Sequence, residues 1–184
     1  MTTLEPRLRS AAPEDAVTIA ALAVQVFLDT YATDGVRPDL AREAFAEYSA
    51  EAFATRLQEP SRRFVLAEQA SGLIGFAEIQ ACPLAAPAGA VIGAELVRLY
   101  VQPKAQGRGV GSCLLQAAEQ ASAAAAPGCV WLTAWEGNHR ARSFYAAQGY
   151  QDVGTTVYSF QGHDYANRVL AKLLGPAAAG PRTV

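Results

Sequence analysis

Apolar and polar positions alternate in two ways along the chain, and each predicts a type of secondary structure. Apolar residues recur at helical spacing over residues 19–27, and helix-forming residues dominate the stretch 112–126. Further helices are predicted from Pro38 to Tyr48, after a Ser49 cap, and over 138–148, where Asn138 stands at a strand-to-helix junction and is expected to be the N-cap. Short apolar or alternating runs, which are typical of strands, occupy residues 4–9, 64–68, 73–80, 94–101, 129–135, 153–160 and 168–174.

These elements predict one mixed α/β domain. Its twisted, mostly antiparallel sheet is expected to contain about six to seven strands, with helices on both faces. A chain of 184 residues suffices for a single domain with a sizeable core, which we place at residues 1–174. Residues 81–93 are predicted to form an apolar loop, and residues 175–184 a flexible C-terminal tail.

The composition narrows the function before any motif is considered. Hydrophobic residues make up 51% of the chain and charged residues 17%, as in globular enzymes. A net charge of −2 gives no reason to expect nucleic-acid binding. The first residues lack a signal-peptide pattern and no apolar run is long enough to span a bilayer, so we expect a cytoplasmic protein that does not contact membranes.

The cysteines do not indicate a disulfide framework or a metal site. There are three, Cys82, Cys113 and Cys129, and their spacing does not pair them. Free thiols in a reducing compartment are expected. The chain has only two histidines, His139 and His163, which gives little support to a zinc site or a catalytic cysteine. No metal is predicted.

A glycine-rich turn over residues 106–111 predicts an anion site. It follows an apolar strand and precedes a helix, so backbone amides at the positive end of that helix would face a ligand. A P-loop would need Lys and Ser or Thr after the second glycine, but Val110 and Gly111 follow Gly109. A dinucleotide loop would need a glycine where Ser112 stands, with an acidic residue about twenty positions further on. Both alternatives fail.

Two blocks of sequence together carry a family resemblance. Gln106, Gly109 and Gly111 match the pattern Q/R-x-x-G-x-G/A directly after a strand. Downstream, the stretch from Asn138 to Tyr150 matches N-x-x-A-x-x-F-Y-x-x-x-G-F/Y. The first block resembles the acyl-CoA pyrophosphate loop of the GNAT superfamily of N-acetyltransferases, and the second resembles that superfamily's following helix. The similarity extends over about residues 8–174.

The resemblance implies acetyl-CoA as the co-substrate and indicates where it binds. Amides of the glycine turn would hold the pyrophosphate, and main-chain groups of Leu99 and Val101 would pair with the pantetheine arm. That arm would enter where the strand 94–101 splays from the strand 129–135. The cofactor-binding residues implied are Leu99, Tyr100, Val101, Gln106, Gly107, Arg108, Gly109, Val110, Gly111, Ser112, Asn138, Ser143 and Tyr145.

The resemblance also assigns the chemistry. Tyr145 stands where the family often protonates the thiolate leaving group or hydrogen-bonds its sulfur. Glu95 begins the cofactor strand, where the family often places the general base, and Glu78 on the preceding strand is its rival. Arg98 is expected to be a structural partner. Cys113 falls inside the phosphate-side helix, so we expect direct transfer in a ternary complex rather than an acyl-cysteine intermediate.

The acceptor is predicted from local charge. Residues 28–60 hold seven acidic and three basic residues, a net charge of −4, which favours a cationic amine. Tyr31 and Tyr48 would add cation–π contacts. The sequences of these motifs are similar to those of a bacterial subgroup that includes small-amine, polyamine-type acetyltransferases. Asn167 departs from that subgroup, because an acidic residue is expected at its position.

Two alternatives stay open. The chain would act on a protein N-terminus or lysine, or it would bind acyl-CoA without turnover. Homodimers are common in this superfamily, so the resemblance makes a homodimer a candidate assembly of this chain.

Overall fold

The computed structural model describes residues 6–70, 72–89, 91–125, 128–160 and 162–175. Its helices are α1 (Ala16–Tyr31), α2 (Pro38–Glu47), α3 (Ala50–Gln58), α4 (Val110–Ala125) and α5 (His139–Ala147). Its strands are β1 (Arg7–Ser10), β2 (Arg62–Gln69), β3 (Gly72–Ala85), β4 (Ile92–Val101), β5 (Cys129–Trp135), β6 (Gln151–Phe160) and β7 (His163–Leu173). Short 3₁₀ turns occupy Pro13–Asp15, Pro87–Gly89 and Pro103–Ala105.

The strands form one sheet in the order β1-β2-β3-β4-β5-β7-β6, which makes seven strands among the described residues. The pairs β1/β2, β2/β3, β5/β7 and β6/β7 are antiparallel. β4 and β5 are parallel, with Ala94 opposite Val130 and Glu95 opposite Trp131. The predicted mixed α/β fold with a mostly antiparallel sheet is therefore confirmed.

Contacts divide the chain into two compact units. One comprises Met1–Gln80 with Leu96–Ala118, and the other Ala81–Glu95 with Glu119–Val184. Within the described residues, no helix is both long and apolar enough to cross a membrane. Of the predicted C-terminal tail, residues 176–184 lie outside the described residues, as do positions 4 and 5 of the first predicted strand.

The first unit packs its helices around a cluster of aromatic rings. Phe53 of α3 is completely buried, and its ring meets those of Phe64 and Phe76 edge-on at 6.2 and 5.9 Å. The predicted cap of α3 is confirmed, because Ser49 Oγ accepts a hydrogen bond from the Ala52 amide at 3.2 Å.

The second unit has its own apolar cluster around Trp131. Buried Trp131 packs with four other buried residues, namely Ala86, Cys129, Val169 and Ala171. Its indole Nε1 donates to the carbonyls of Leu84 and Gly93, each at 3.2 Å. The prediction of a loop over 81–93 is wrong at both ends, because β3 continues to Ala85 and β4 begins at Ile92. The shared indole donor links the backbones of these two strand segments, a long-range contact that a local pattern does not reveal.

The closing pair of strands is longer than predicted. β7 begins at His163 rather than at residue 168, and β6 begins at Gln151. The register runs from Phe160 opposite His163 to Gln151 opposite Ala171. Of the five β7 residues that were not predicted, His163, Asp164 and Asn167 are polar, so apolar periodicity gives little strand signal there.

Candidate functional site

The glycine turn is built by two residues in the left-handed region of backbone space. Gly107 has φ of 75° and Gly109 has φ of 83°, and both are exposed. A Cβ at either position would meet no atom within 4 Å, so the requirement for glycine is conformational rather than steric. Immediately afterwards, Cys113 N donates to Gly109 O at 3.0 Å and closes the first turn of α4.

The start of α4 presents backbone donors beside this turn. The first amides of an α-helix have no i−4 carbonyl to bond, and they carry the positive end of the helix dipole. In α4 these are the amides that begin at Val110, whose side chain is itself buried at 2% exposure. Val110 is therefore a core residue through its side chain. Its predicted part in binding rests on its amide alone.

Gln106 holds the turn to the end of the cofactor strand. Its Nε2 donates to the Val101 carbonyl at 2.8 Å. Gln106, which was predicted to bind the cofactor, therefore bonds to the chain itself through its side chain. The Val101 carbonyl that accepts this bond belongs to the strand predicted to pair with the pantetheine arm. This bond fixes where the turn leaves β4. The sequence indicated the glutamine but not this role.

Tyr100 is engaged in the first unit through its side chain. Its hydroxyl lies 3.2 Å from that of Tyr48, and its ring meets Phe76 edge-on at 5.5 Å. Burial raises the pKa of Tyr100 well above its usual value, so the phenol stays neutral at physiological pH. Leu99 beside it is half-buried. Any cofactor contact of Tyr100 falls to its main chain.

A buried ion-pair network that the sequence analysis missed joins three strands to α2 and α3. The Glu78 side chain is completely buried, and its two oxygens accept hydrogen bonds from Arg62 Nη1 and Arg98 Nη1, both at 2.5 Å. Arg98 Nη2 also donates to Glu47 Oε1 at 2.6 Å. Burial disfavours the charge of Arg98, but neighbouring groups led by Glu78 outweigh it and raise the pKa of the guanidinium. The expectation that Arg98 is a structural partner agrees with this geometry.

Arginines pair with several of the acidic residues of the segment 28–60, whose net negative charge was predicted to attract a cationic acceptor. Glu47 is also bonded by Arg56 at 2.5 Å, and Glu59 accepts from Arg62. Asp39 is held by Arg37 at 2.9 Å, and the hydrogen bonds from this arginine lower the pKa of Asp39 to about 2. Arg62 and Arg98 both lie outside the segment 28–60, so counting charges within the segment overstated its negative potential.

Tyr48, which was predicted to make a cation–π contact with the acceptor, makes that type of contact within the chain. The Arg98 guanidinium lies over the Tyr48 ring, 5.4 Å from its centroid. The cation that Tyr48 meets is therefore an arginine of the chain itself. Tyr31 lies in the same aromatic series, since Phe27 contacts both rings at 5.1 and 5.0 Å.

In the second unit, α5 positions three of the predicted residues. Asn138 is the N-cap, since its Oδ1 accepts from the Ala141 amide at 3.0 Å. Ser143 is exposed one turn later. Tyr145 is buried at 8% exposure, and its ring meets Phe144 and Tyr150 edge-on at 5.2 and 5.5 Å. The capping contact uses the amide oxygen of Asn138 and leaves its Nδ2 for any cofactor contact.

The surroundings of Tyr145 decide how its phenol can act. Burial raises its pKa above the usual value near 10. A thiol has a pKa near 8.5, so complete proton transfer from the phenol to a free thiolate is uphill even before this shift. A neutral phenol that donates a hydrogen bond to the sulfur fits the environment better than a phenol that ionises. Of the two roles that the resemblance implied, hydrogen bonding is favoured.

Glu95 lies in β4 opposite Trp131 and is half-buried. Its catalytic role stays a prediction. The glycine turn belongs to the first unit and Asn138, Ser143 and Tyr145 to the second, so their joint binding of one cofactor also stays a prediction.

The cysteines are free, with Cys82 exposed, Cys113 half-buried in α4 and Cys129 buried. Across the described part of the chain, no group of three or more His, Cys, Asp or Glu residues is placed to hold a metal ion.

Comparisons with known proteins agree on one family. Residues 30–150 match the family model described as the Acetyltransferase (GNAT) family. An uncharacterised N-acetyltransferase of Mycobacterium bovis is 27% identical over 161 residues, which span 87% of this chain and 98% of that protein.

Two solved structures extend this similarity to the fold. The GCN5-related N-acetyltransferase of Rhodopseudomonas palustris has a TM-score of 0.70 at 28% identity, covering 95% of this chain and 99% of its own. The PaiA N-acetyltransferase of Thermoplasma acidophilum, solved in complex with coenzyme A, has a TM-score of 0.71 at 24% identity, covering 93% of this chain and 100% of its own.

Proposed function

The chain belongs to the Acetyltransferase (GNAT) family of acyltransferases, and we propose that it transfers the acetyl group of acetyl-CoA to a primary amine by direct attack in a ternary complex. The observation that carries this proposal is the turn at Gly107 and Gly109, which leads into the amide-bearing start of α4. The coenzyme A bound to the Thermoplasma PaiA structure supports the choice of co-substrate.

We propose that the turn holds the pyrophosphate and sets the position of the thioester. Backbone donors at the start of α4 match a phosphate in charge and geometry. Gln106 keeps these donors in a fixed relation to β4 through its bond to Val101. Holding both reactants in one geometry supplies a large part of the rate enhancement in transfer reactions.

In the chemical step, the neutral amine nitrogen attacks the thioester carbonyl and the carbon–sulfur bond breaks. The second proton, which the nitrogen loses on becoming an amide, passes to the departing thiolate directly or through water, so the products are the N-acetylated amine and free CoA. Tyr145 donates a hydrogen bond to the sulfur as negative charge develops on it. Because the phenol is buried, it stays neutral throughout the physiological range of pH, and this donor is always available.

The attacking amine must first lose a proton, because an alkylammonium has a pKa near 10.4. We propose Glu95 as the group that accepts this proton, directly or through water. Glu78, its rival, is poorly suited, since both of its oxygens accept hydrogen bonds from arginines. The Glu78 side chain is also completely buried, which keeps both oxygens away from an attacking amine.

The acceptor proposed is a small amine. A cationic acceptor has less support from the structure than from the sequence, because three acids of the segment 28–60 are bonded to arginines. A protein N-terminus or lysine is the alternative acceptor. The alternative to an enzyme is a module that binds acyl-CoA without turnover.

The test is release of free CoA from acetyl-CoA across polyamines, amino alcohols, amino acids, aminoglycosides and short peptides, with mass spectrometry of the acetylated product. Turnover on one amine class supports the enzyme and identifies its acceptor. Tight binding of acetyl-CoA without turnover on any amine supports the binding module. Absence of acetyl-CoA binding refutes the proposal.

Kinetics distinguish direct transfer from an acyl-enzyme. Direct transfer predicts intersecting double-reciprocal plots, whereas an acyl-enzyme gives the parallel lines of ping-pong kinetics. Cys113→Ser should retain activity, because the proposal assigns its thiol no covalent role.

A further inference from the structure

A buried hydrogen-bond acceptor in the second unit lacks a donor. The Oδ1 atom of Asn167 is buried, and none of the described residues supplies a hydrogen bond to it. Buried polar side-chain atoms nearly always have a partner, because an unsatisfied atom destabilises the fold. Because the Asn167 side chain is only half-buried, a bound molecule can supply the hydrogen-bond donor that the described residues do not.

Asn167 lies in the middle of a row of three side chains. In β7 it stands directly opposite Trp135, the last residue of β5, and on its other side opposite Thr156 of β6. Directly opposite residues of paired strands point to the same face of a sheet. An indole, an amide and a hydroxyl thus lie side by side, and all three residues are half-buried.

Two contacts within the chain help to position this row. A Cβ on Gly137 would come within 2.5 Å of Trp135 Cζ2, so the indole rests against backbone that only glycine leaves open. Glu136 N donates to Ala166 O at 2.9 Å, which ties the exit of β5 to the residue before Asn167. The same short segment leads to the Asn138 cap of α5.

We propose that this row binds the acceptor of the acetyl transfer, and this inference rests on the proposed function. Asn167 Oδ1 accepts a hydrogen bond from an uncharged O–H or N–H group of the acceptor. Trp135 packs against the adjoining carbon chain. The acceptor is then an amine that carries a neutral polar group, such as an amino alcohol or an amino acid amide, rather than a second ammonium.

The charge of the site decides between these classes. An amide oxygen is neutral, and burying an ammonium against it without a carboxylate is costly. The two carboxylates that β6 and β7 carry are already bonded within the chain. Asp152 accepts from Arg168 at 2.7 and 2.8 Å, and Asp164 accepts from Ser159 at 2.6 Å.

The experiment compares amines that differ in a single group. Amino alcohols, diamines and simple alkylamines of equal length, from three to six carbons, are tested as acceptors by CoA release. The wild type should have its highest kcat/KM for an amino alcohol at one chain length. Asn167→Leu should lose this preference over the matched alkylamine by about tenfold, the size expected for one hydrogen bond in a buried site. Asn167→Asp should transfer the preference to the diamine, because a carboxylate pairs with the second ammonium.

Two further readouts separate recognition from a structural role. Asn167→Leu removes an unsatisfied buried atom, so its melting temperature should equal or exceed that of the wild type, and its KM for acetyl-CoA should not change. A merely structural residue would move the melting temperature and leave the ratio of amino alcohol to alkylamine intact.

The inference is overturned if the wild type prefers an amino alcohol at no length, or if Asn167→Leu keeps the preference. Failure of the proposed function looks different, because acetyl-CoA then does not bind or no amine in the wider panel is acetylated.

Discussion

Glu78 and Arg98 form an ion pair on neighbouring strands in which the carboxylate is completely buried and the arginine side chain is 10% exposed. Arg62 donates to the other oxygen of Glu78, so neither oxygen is left without a bond. Such pairs add little net stability over apolar replacements, but removing one partner leaves a buried charge without compensation. The arrangement explains why Glu78 is a poor candidate for the general base.

Glu78→Gln should therefore destabilise the protein strongly. Removing the carboxylate charge leaves two arginines facing a neutral amide, and we expect the free energy of unfolding to fall by about 3 kcal/mol. Urea unfolding followed by circular dichroism measures this. Glu136→Gln, at an exposed glutamate, is the control and should change stability by no more than about 0.5 kcal/mol. Equal effects of the two substitutions would refute the importance of the buried pair.

Stability should depend on pH through Asp15. Both of its oxygens accept hydrogen bonds from Arg9 at 2.7 Å, and these bonds lower the pKa of Asp15 in the folded state. The stabilisation is then fully present above the unfolded pKa near 3.9 and disappears as pH falls through the lower folded value. Urea unfolding of the wild type and Asp15→Asn between about pH 2 and pH 7 should show a difference at neutral pH that narrows in acid. A difference independent of pH would contradict this assignment.

Tyr150→Phe should stabilise the protein. Burial, and then Glu119, raise the pKa of Tyr150, and its buried hydroxyl has no hydrogen-bond partner among the described residues. Phenylalanine keeps the ring beside Tyr145 and removes the unsatisfied group, so we expect the free energy of unfolding to rise by about 1 kcal/mol. Guanidinium unfolding is the measurement, and Tyr150→Leu, which loses the ring contact, should be destabilised. A clear loss of stability in Tyr150→Phe would mean that the hydroxyl makes a bond in solution.

Gly109→Ala should raise the KM for acetyl-CoA, an effect that a comparable substitution at a glycine outside the turn should not have. Its φ of 83° costs an alanine about 1–2 kcal/mol, which makes the binding conformation of the turn rarer. The KM for acetyl-CoA should rise about tenfold. Gly162→Ala is the matched control, because φ there is 79° in the β6–β7 hairpin. The control should lose stability while its KM for acetyl-CoA stays the same, and an equal rise in both variants would argue against the turn as the cofactor site.

The segment from β4 to α4 could be predicted because its signals are local. An apolar strand, closely spaced glycines and a run of helix formers follow one another within residues 94–126. The Ser49 and Asn138 caps were predictable for the same reason, since a capping side chain bonds an amide three residues away.

The buried network could not be predicted in this way. Glu78 and Arg98 lie 20 residues apart, and a single charged residue in an apolar strand is equally compatible with a solvated strand end. The unsatisfied oxygen of Asn167 depends on what three paired strands place around it. The use of local acids by Arg62 and Arg98 likewise appears only after folding, which is why the charge count of residues 28–60 overstated the case for a cationic acceptor.

Tyr145→Phe tests the central claim most directly. The substitution keeps the buried ring and removes only the hydroxyl that we assign to the sulfur of acetyl-CoA. Calorimetric titration with acetyl-CoA and CoA release with the preferred amine are measured on the same preparation. We expect wild-type affinity for acetyl-CoA together with a kcat lower by about a hundredfold or more, the contribution usual for a positioned hydrogen-bond donor to developing negative charge. A variant that transfers acetyl groups at the wild-type rate would contradict the account.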